Sequence, residues 1–208
     1  MESNTGCSNG LHRIDQFALV SYIPGPLGNF LDDLRLDLVP DCRPHAHVTI
    51  LPPRKLCGQP NEAIGEIRHL VEQFSPFTVK LGDIAVFPES EVIYIEIVSG
   101  ADSLRAMYLA MNKGICSFSE NFPYHPHITL AQNLPHDLVN PLYEHARELW
   151  RNWTGERSFA VETLSFVQNT TVCTWLDLAE IHLPVRVGEA LLKETGLRDR
   201  GGLSDALP

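Results

Sequence analysis

A short segment that occurs twice limits the architectures open to this chain. His45-Ala46-His47-Val48-Thr49-Ile50-Leu51 and His125-Pro126-His127-Ile128-Thr129-Leu130-Ala131 align as His-x-His-aliphatic-Thr-aliphatic. His127 and Thr129 each follow their counterparts, His47 and Thr49, by 80 residues. On a β-strand alternate side chains leave opposite faces. Ala46, Val48 and Ile50 therefore share one face, as do Pro126, Ile128 and Leu130, and that apolar face goes to a core. His47 with Thr49, and His127 with Thr129, share the other. Core packing does not ask for such a face, and ordinary solvated positions are filled with Lys, Glu or variable polar residues. The same His/Thr pair on two strands points to a shared cleft.

The surroundings of the two segments repeat as well. Gln16–Ile23 reads as a strand, Leu27–Leu36 as a short helix, and His45–Leu51 as a strand closed by Pro52 and Pro53. A helix follows Pro60-Asn61, with Ile64, Ile67, Val71 and Phe74 on one face. Phe77–Leu81 and Ile84–Phe87 form a strand broken at Gly82-Asp83, and Val92–Val98 alternates cleanly. The order then recurs. Asp102–Ile115 is a helix capped by Asp102 or Ser103, and His125–Ala131 is a strand. Asn140–Trp150 is a helix with Asn140 as cap and Pro141 at its first position, and Phe159–Gln168 and Val172–Leu183 are strands.

This duplication predicts an α+β fold of two pseudo-symmetric lobes, each a small antiparallel sheet backed by helices. Residues 15–183 read as one bilobal domain with pseudo-repeats at about 15–98 and 91–183. Residues 1–14 read as a flexible lead-in. Residues 184–208 read as a short helix near Val187–Glu194 followed by a mobile tail.

Composition narrows the function classes. The formal net charge is −10, with 16 Lys and Arg against 26 Asp and Glu. An extended nucleic-acid footprint needs many basic contacts, so a phosphate-bearing substrate is expected to be small or to enter by one end only. No apolar run approaches the roughly 20 residues that span a bilayer, and the first residues lack the basic-then-apolar pattern of a secretory signal. Five cysteines, none at a Cys-x-x-Cys spacing, fit a reduced cytoplasmic protein.

Two histidines suit phosphodiester chemistry better than one. A base must take a proton from the attacking oxygen and an acid must supply the departing one. Imidazole titrates near ~6.5, so one ring can be neutral while the other is charged. Two threonine hydroxyls can donate to nonbridging phosphate oxygens. Such a site needs no metal and no cofactor.

The paired segments resemble the 2H phosphoesterase superfamily, specifically its bacterial 2′-5′ RNA ligase-like (LigT-like) cyclic phosphodiesterases. HAHVTILPPR and HPHITLA are close to that family's aliphatic strand bearing His-x-Thr, and the element order is similar over roughly residues 15–183. The resemblance implies a bilobal fold with a central cleft, His47 and His127 as the general acid–base pair, and Thr49 and Thr129 on the phosphate. It also implies hydrolysis of 2′,3′-cyclic phosphates of nucleotides or RNA ends, with 2′-5′ cleavage or ligation in some members.

Beyond these four, Arg54 and Tyr124 are candidate substrate contacts, Arg54 for phosphate or ribose and Tyr124 for stacking on a base. A solvated loop charge and packing at a lobe edge are the respective alternatives. Phe87 and Phe122 carry the same ambiguity. His45 and His125 lie on the His47/His127 faces and are expected at the cleft rim. Paired His-x-His also opens a zinc-type reading, a metal-dependent hydrolase or oxygenase, which leaves the threonines unexplained. A non-enzymatic nucleotide-binding module is the other alternative.

Overall fold

Four strands of alternating or wholly apolar character assemble around β1 (Arg13–Tyr22), whose residues Phe17 to Ser21 are all buried. The computed structural model describes residues 12–40, 45–171 and 174–186. The first sheet has the order β2-β1-β7-β8, with β2 His47–Arg54, β7 Thr163–Thr170 and β8 Trp175–His182. The second has the order β5-β4-β3-β6, with β3 Phe77–Val86, β4 Ile93–Ser99, β5 His127–Ala131 and β6 Ser158–Val161. Every pairing is antiparallel. The fold is thus α+β with two antiparallel sheets, and each motif strand is the edge strand of one of them.

The two halves of the sequence do not each build their own lobe. β1 and β2 lie in the first sheet, but β3 crosses to pair with β4 in the second. Reciprocally, β7 leaves the second half to pair with β1. The expected single strand Phe159–Gln168 is two: β6 pairs with β3, β7 with β1, and only Glu162 separates them. The sequence does mark the switch: the apolar phase of Phe159 and Val161 shifts by one at Glu162-Thr163 before Leu164 and Phe166 resume it. The helices interlock too. Helix α1 (Leu27–Leu38) packs on β5 and on α4 (His136–Asn152), and α3 (Ala101–Met111) packs on β2. The remaining helix, α2 (Pro60–Val71), opens on Pro60 with a capping box between Gln59 and Glu62.

One continuous core results. Leu31 and Leu34 of α1, Ile67 of α2, Met107 of α3 and Trp150 of α4 meet Leu19, Ile50, Ile95, Ile128 and Phe166 from the helix-facing sides of the sheets. The opposite face of the first sheet holds a smaller apolar cluster, Ala18, Val20 and Val167, with Tyr22 and Trp175 against it.

Several element ends differ from the sequence reading. β2 runs through Pro52 and Pro53 to Arg54, with a bulge between Leu51 and Arg54. An edge strand tolerates proline because its outward N–H makes no ladder bond. The break at Gly82-Asp83 is likewise a bulge within β3. Helix α3 starts on Gly100, at φ +87°, rather than on a side-chain cap from Asp102 or Ser103, and ends at Met111 before a 3-10 turn at Gly114–Cys116. Helix α4 begins at His136, so Asn140 and Pro141 lie inside its first turns instead of at its start. The strand begins at Arg13, inside the segment expected to be flexible; residues 1–11 and the expected helix near Val187–Glu194 lie outside the described residues.

Gly28 fixes how closely α1 returns onto β1. A Cβ there would sit 1.9 Å from the Ile23 carbonyl oxygen, so backbone must move to admit one. Gly28→Ala is expected to lower stability by about 1–3 kcal/mol, as overpacking does, despite alanine's better helix propensity. Urea unfolding monitored by circular dichroism measures it.

Candidate functional site

The two motif strands present the same burial pattern. Val48 and Ile50, like Ile128 and Leu130, are buried, while His47, Thr49, His127 and Thr129 are half-buried on the opposite side. Register sets their neighbours. Thr49 lies opposite Val20 and His47 opposite Tyr22; Thr129 lies opposite Tyr94 and His127 opposite Glu96.

The rings are held alike. His47 Nδ1 is 2.6 Å from the His45 carbonyl oxygen, and His127 Nδ1 is 2.7 Å from that of His125. A carbonyl oxygen only accepts, so each Nδ1 carries the proton and each Nε2 keeps its lone pair. Sequence spacing showed the doubled motif; the doubled tautomer lock appears only in the structure. Among the described residues, neither Thr49 nor Thr129 has a hydrogen-bond partner for its hydroxyl.

The two motif strands are neighbours. β2 packs beside β5. The charge of a protonated His127 reaches His47 and, with Arg35, opposes protonation there. The larger cause is burial, which pulls His47 down to about 4. His127 also lies below its ordinary value, again chiefly through burial, with a smaller contribution from His125. Both imidazoles are therefore neutral at neutral pH in the free protein.

A hydroxyl ties the motifs together. Tyr124, just ahead of the second motif, donates from its hydroxyl to the Thr49 carbonyl oxygen at 2.6 Å, and its ring stacks on Tyr108 with centroids 4.2 Å apart. The ring expected to stack on a base is thus a strut between the motif segments, with one face covered.

Arg54 requires a larger correction. It is not a loop charge facing the substrate: it is 2% exposed. Its guanidinium donates to the Pro52 and Cys116 carbonyls, to Asn112 Oδ1 and to Glu120. The segment that leads into the second motif is thereby fastened to the strand that carries the first. The bulge at Pro52-Pro53 brings this about, because one extra residue turns the strand end inward.

His45 and His125 differ from one another. His45 donates from Nδ1 to Asp32 at 2.9 Å, while Asp32 also accepts the Ala46 N–H, so α1 pins the entry to the first motif. His125 sits edge-on to Phe87, which stacks on Tyr94 at 3.9 Å; the same two rings meet His127 at 5.0 and 5.4 Å. Phe122 is exposed. Among the described residues no three His, Cys, Asp or Glu side chains group as a metal site. No described helix is long and apolar enough to cross a membrane.

Sequence reasoning missed Asp32, Tyr22 and Trp175. Trp175 lies 4.7 Å, centroid to centroid, from His47. It sits on β8, at the far edge of the sheet in strand order, and no local pattern singles it out.

Comparisons with known proteins bear on the family and the fold. The profile of the 2′-5′ RNA ligase superfamily matches residues 23–172. A protein from Oceanobacillus iheyensis assigned as a phosphoesterase is 28% identical over 78 residues, 37% of this chain and 45% of its own length. Another so assigned, from Geobacillus kaustophilus, is 23% identical over 129 residues, 58% of this chain and 70% of its own. Among solved structures, E. coli LigT complexed with 3′-AMP superposes with a TM-score of 0.56 at 17% identity, covering 84% of this chain and 99% of LigT. The crystal structure of a phosphoesterase gives 0.54 at 18% identity, covering 85% of this chain and all of that one.

Proposed function

The chain belongs to the 2′-5′ RNA ligase superfamily, and from that premise we propose that it is a metal-independent phosphodiesterase acting on 2′,3′-cyclic phosphates of nucleotides or RNA ends. Cleavage or joining of 2′-5′ phosphodiesters is the related chemistry of the same groups. The observation that carries this reading is the pair of identically locked histidines, each with an unengaged threonine hydroxyl two residues on, along neighbouring edge strands.

Hydrolysis of the cyclic ester forms a bond from water oxygen to phosphorus and breaks one from phosphorus to a ribose oxygen. One Nε2 takes the water's proton; the other ring, protonated, delivers a proton to the departing oxygen. Thr49 and Thr129 donate to the nonbridging oxygens, where charge accumulates. In the free protein both rings are neutral. The phosphate's own negative charge favours protonation of one of them, so substrate binding completes the acid–base pair. The acidic balance of the chain supports a mononucleotide or an RNA terminus over a long duplex or a folded RNA.

A panel of 2′,3′-cyclic mononucleotides, short oligonucleotides ending in cyclic phosphate and 2′-5′-linked dinucleotides tests the reading. Turnover to a single phosphomonoester, unchanged by a chelator, is the expected result. Activity lost to chelator and restored by zinc or manganese supports the metal-dependent alternative. Tight nucleotide binding without turnover supports a binding module.

A further inference from the structure

Next to His47 the cleft widens into a hollow of about 600 Å³, within the size range of ligand sites. Tyr22, Asn29, Asp32, His45, Trp175 and Asp177 line it, together with main-chain and apolar atoms of Ile23, Gly28 and Leu176. Trp175 lies against the His47 ring, and Tyr22 stands directly opposite His47 in the strand register. The Tyr22 hydroxyl donates to Asp177 at 2.7 Å, and His45 stands edge-on to Tyr22. On the His127 side, the stacked rings of Phe87 and Tyr94 pack against the motif histidine instead. The pseudo-symmetric cleft is therefore asymmetric in what it can hold. Among the described residues, no Lys or Arg lines the hollow, whereas two carboxylates do.

Resting on the phosphodiesterase reading, we propose that this hollow seats the nucleoside attached to the reacting phosphate, and that Asp32 and Asp177 exclude a second phosphate from it. The aromatic wall offers Trp175 and Tyr22 to a base or ribose face. Asp32 and Asp177 are acceptors only: they take hydrogen bonds from ribose hydroxyls or exocyclic amines and repel a phosphate, which is itself acceptor-only and anionic. The selected substrate class is a free nucleoside cyclic phosphate with a hydroxyl at its 5′ position, since the last nucleoside of an RNA carries a phosphodiester there.

Calorimetric titration of adenosine 3′-phosphate and adenosine 3′,5′-bisphosphate into the full chain tests this without relying on turnover. The bisphosphate is expected to bind about tenfold or more weakly at low salt, with the gap narrowing at high salt as the carboxylates are screened. Asp177→Asn is expected to narrow the gap several-fold, and Trp175→Ala to weaken both ligands. The wild-type comparison decides by itself: equal affinity for the two ligands, or tighter binding of the bisphosphate, overturns the proposal. Trp175→Ala binding both ligands as well as wild type also overturns it. The two readings fail separately. Turnover of cyclic nucleotides with no discrimination removes only the hollow's role; discrimination without turnover removes only the phosphodiesterase.

Discussion

Alanine at either motif histidine is expected to lower kcat on a 2′,3′-cyclic nucleotide by roughly 10³-fold, within the range that a positioned acid or base contributes. The double substitution should cost little more than either single one, because the two rings act on one proton inventory. His47→Ala and His127→Ala remove half-buried side chains that form no part of the main core, so both variants should fold and retain nucleotide affinity within a few-fold. The pH profile carries the same claim further. In the free protein His47 titrates near 4 and His127 below its ordinary 6.5. The form with one ring charged and one neutral is populated between those two values and is lost as pH rises through the upper one. The kcat/KM profile should therefore peak below pH 6.5, whereas kcat, read on the phosphate-bound form, should hold to higher pH because the anion favours the imidazolium. Folding stability follows the same linkage. Between about pH 6.5 and 4 the unfolded chain binds more protons at these histidines than the folded one, so stability falls as pH drops through that window.

The second large effect concerns stability. Arg54→Met is expected to destabilise the fold by about 3–5 kcal/mol, since it removes one partner of a buried pair. Burial opposes charge on both partners: it lowers Arg54 and raises Glu120, in each case against the attraction between them. The pair is thus no large net source of stability as it stands, but it is costly to break. The methionine variant leaves Glu120 without its cation and also leaves the Cys116 carbonyl and Asn112 Oδ1 short of a donor. Glu120→Gln should cost less, because the guanidinium keeps its other three acceptors. Urea midpoints at unchanged m-value measure both effects, and a double-mutant cycle should show strong non-additivity. Activity should fall as well in Arg54→Met, since the segment entering the second motif loses its anchor.

What the chain disclosed in advance follows physical reach. Alternation along each motif strand depends on pleat geometry alone, so the outward face of His47, Thr49, His127 and Thr129 was legible residue by residue. Helices α1 to α4 were legible from their apolar periodicity, but the start of α4 was not, because Asn140-Pro141 imitates a cap within a helix that already began at His136. Arg54 was misread because burial of a charge depends on Glu120 and Cys116, more than sixty residues away. Trp175 and Asp32 reach the site through strand order and helix docking, which no local pattern encodes. The exchange of β3 and β7 between sheets was hidden for the same reason: a phase shift marks a break, but an apolar strand carries no label naming the sheet it joins.

That exchange bears on how the cleft behaves. With β3 paired to β4, β7 paired to β1, and α1 and α3 each resting on the other half's motif strand, neither repeat owns a complete hydrophobic interior. Prising the two histidines apart would leave every ladder intact, since none joins the sheets, but it would part α1 from β5 and α3 from β2 and open the shared core. On the proposed reading, the phosphate seat is accordingly set during folding rather than upon encounter, and a small phosphate ester meets it without a reorganisation cost.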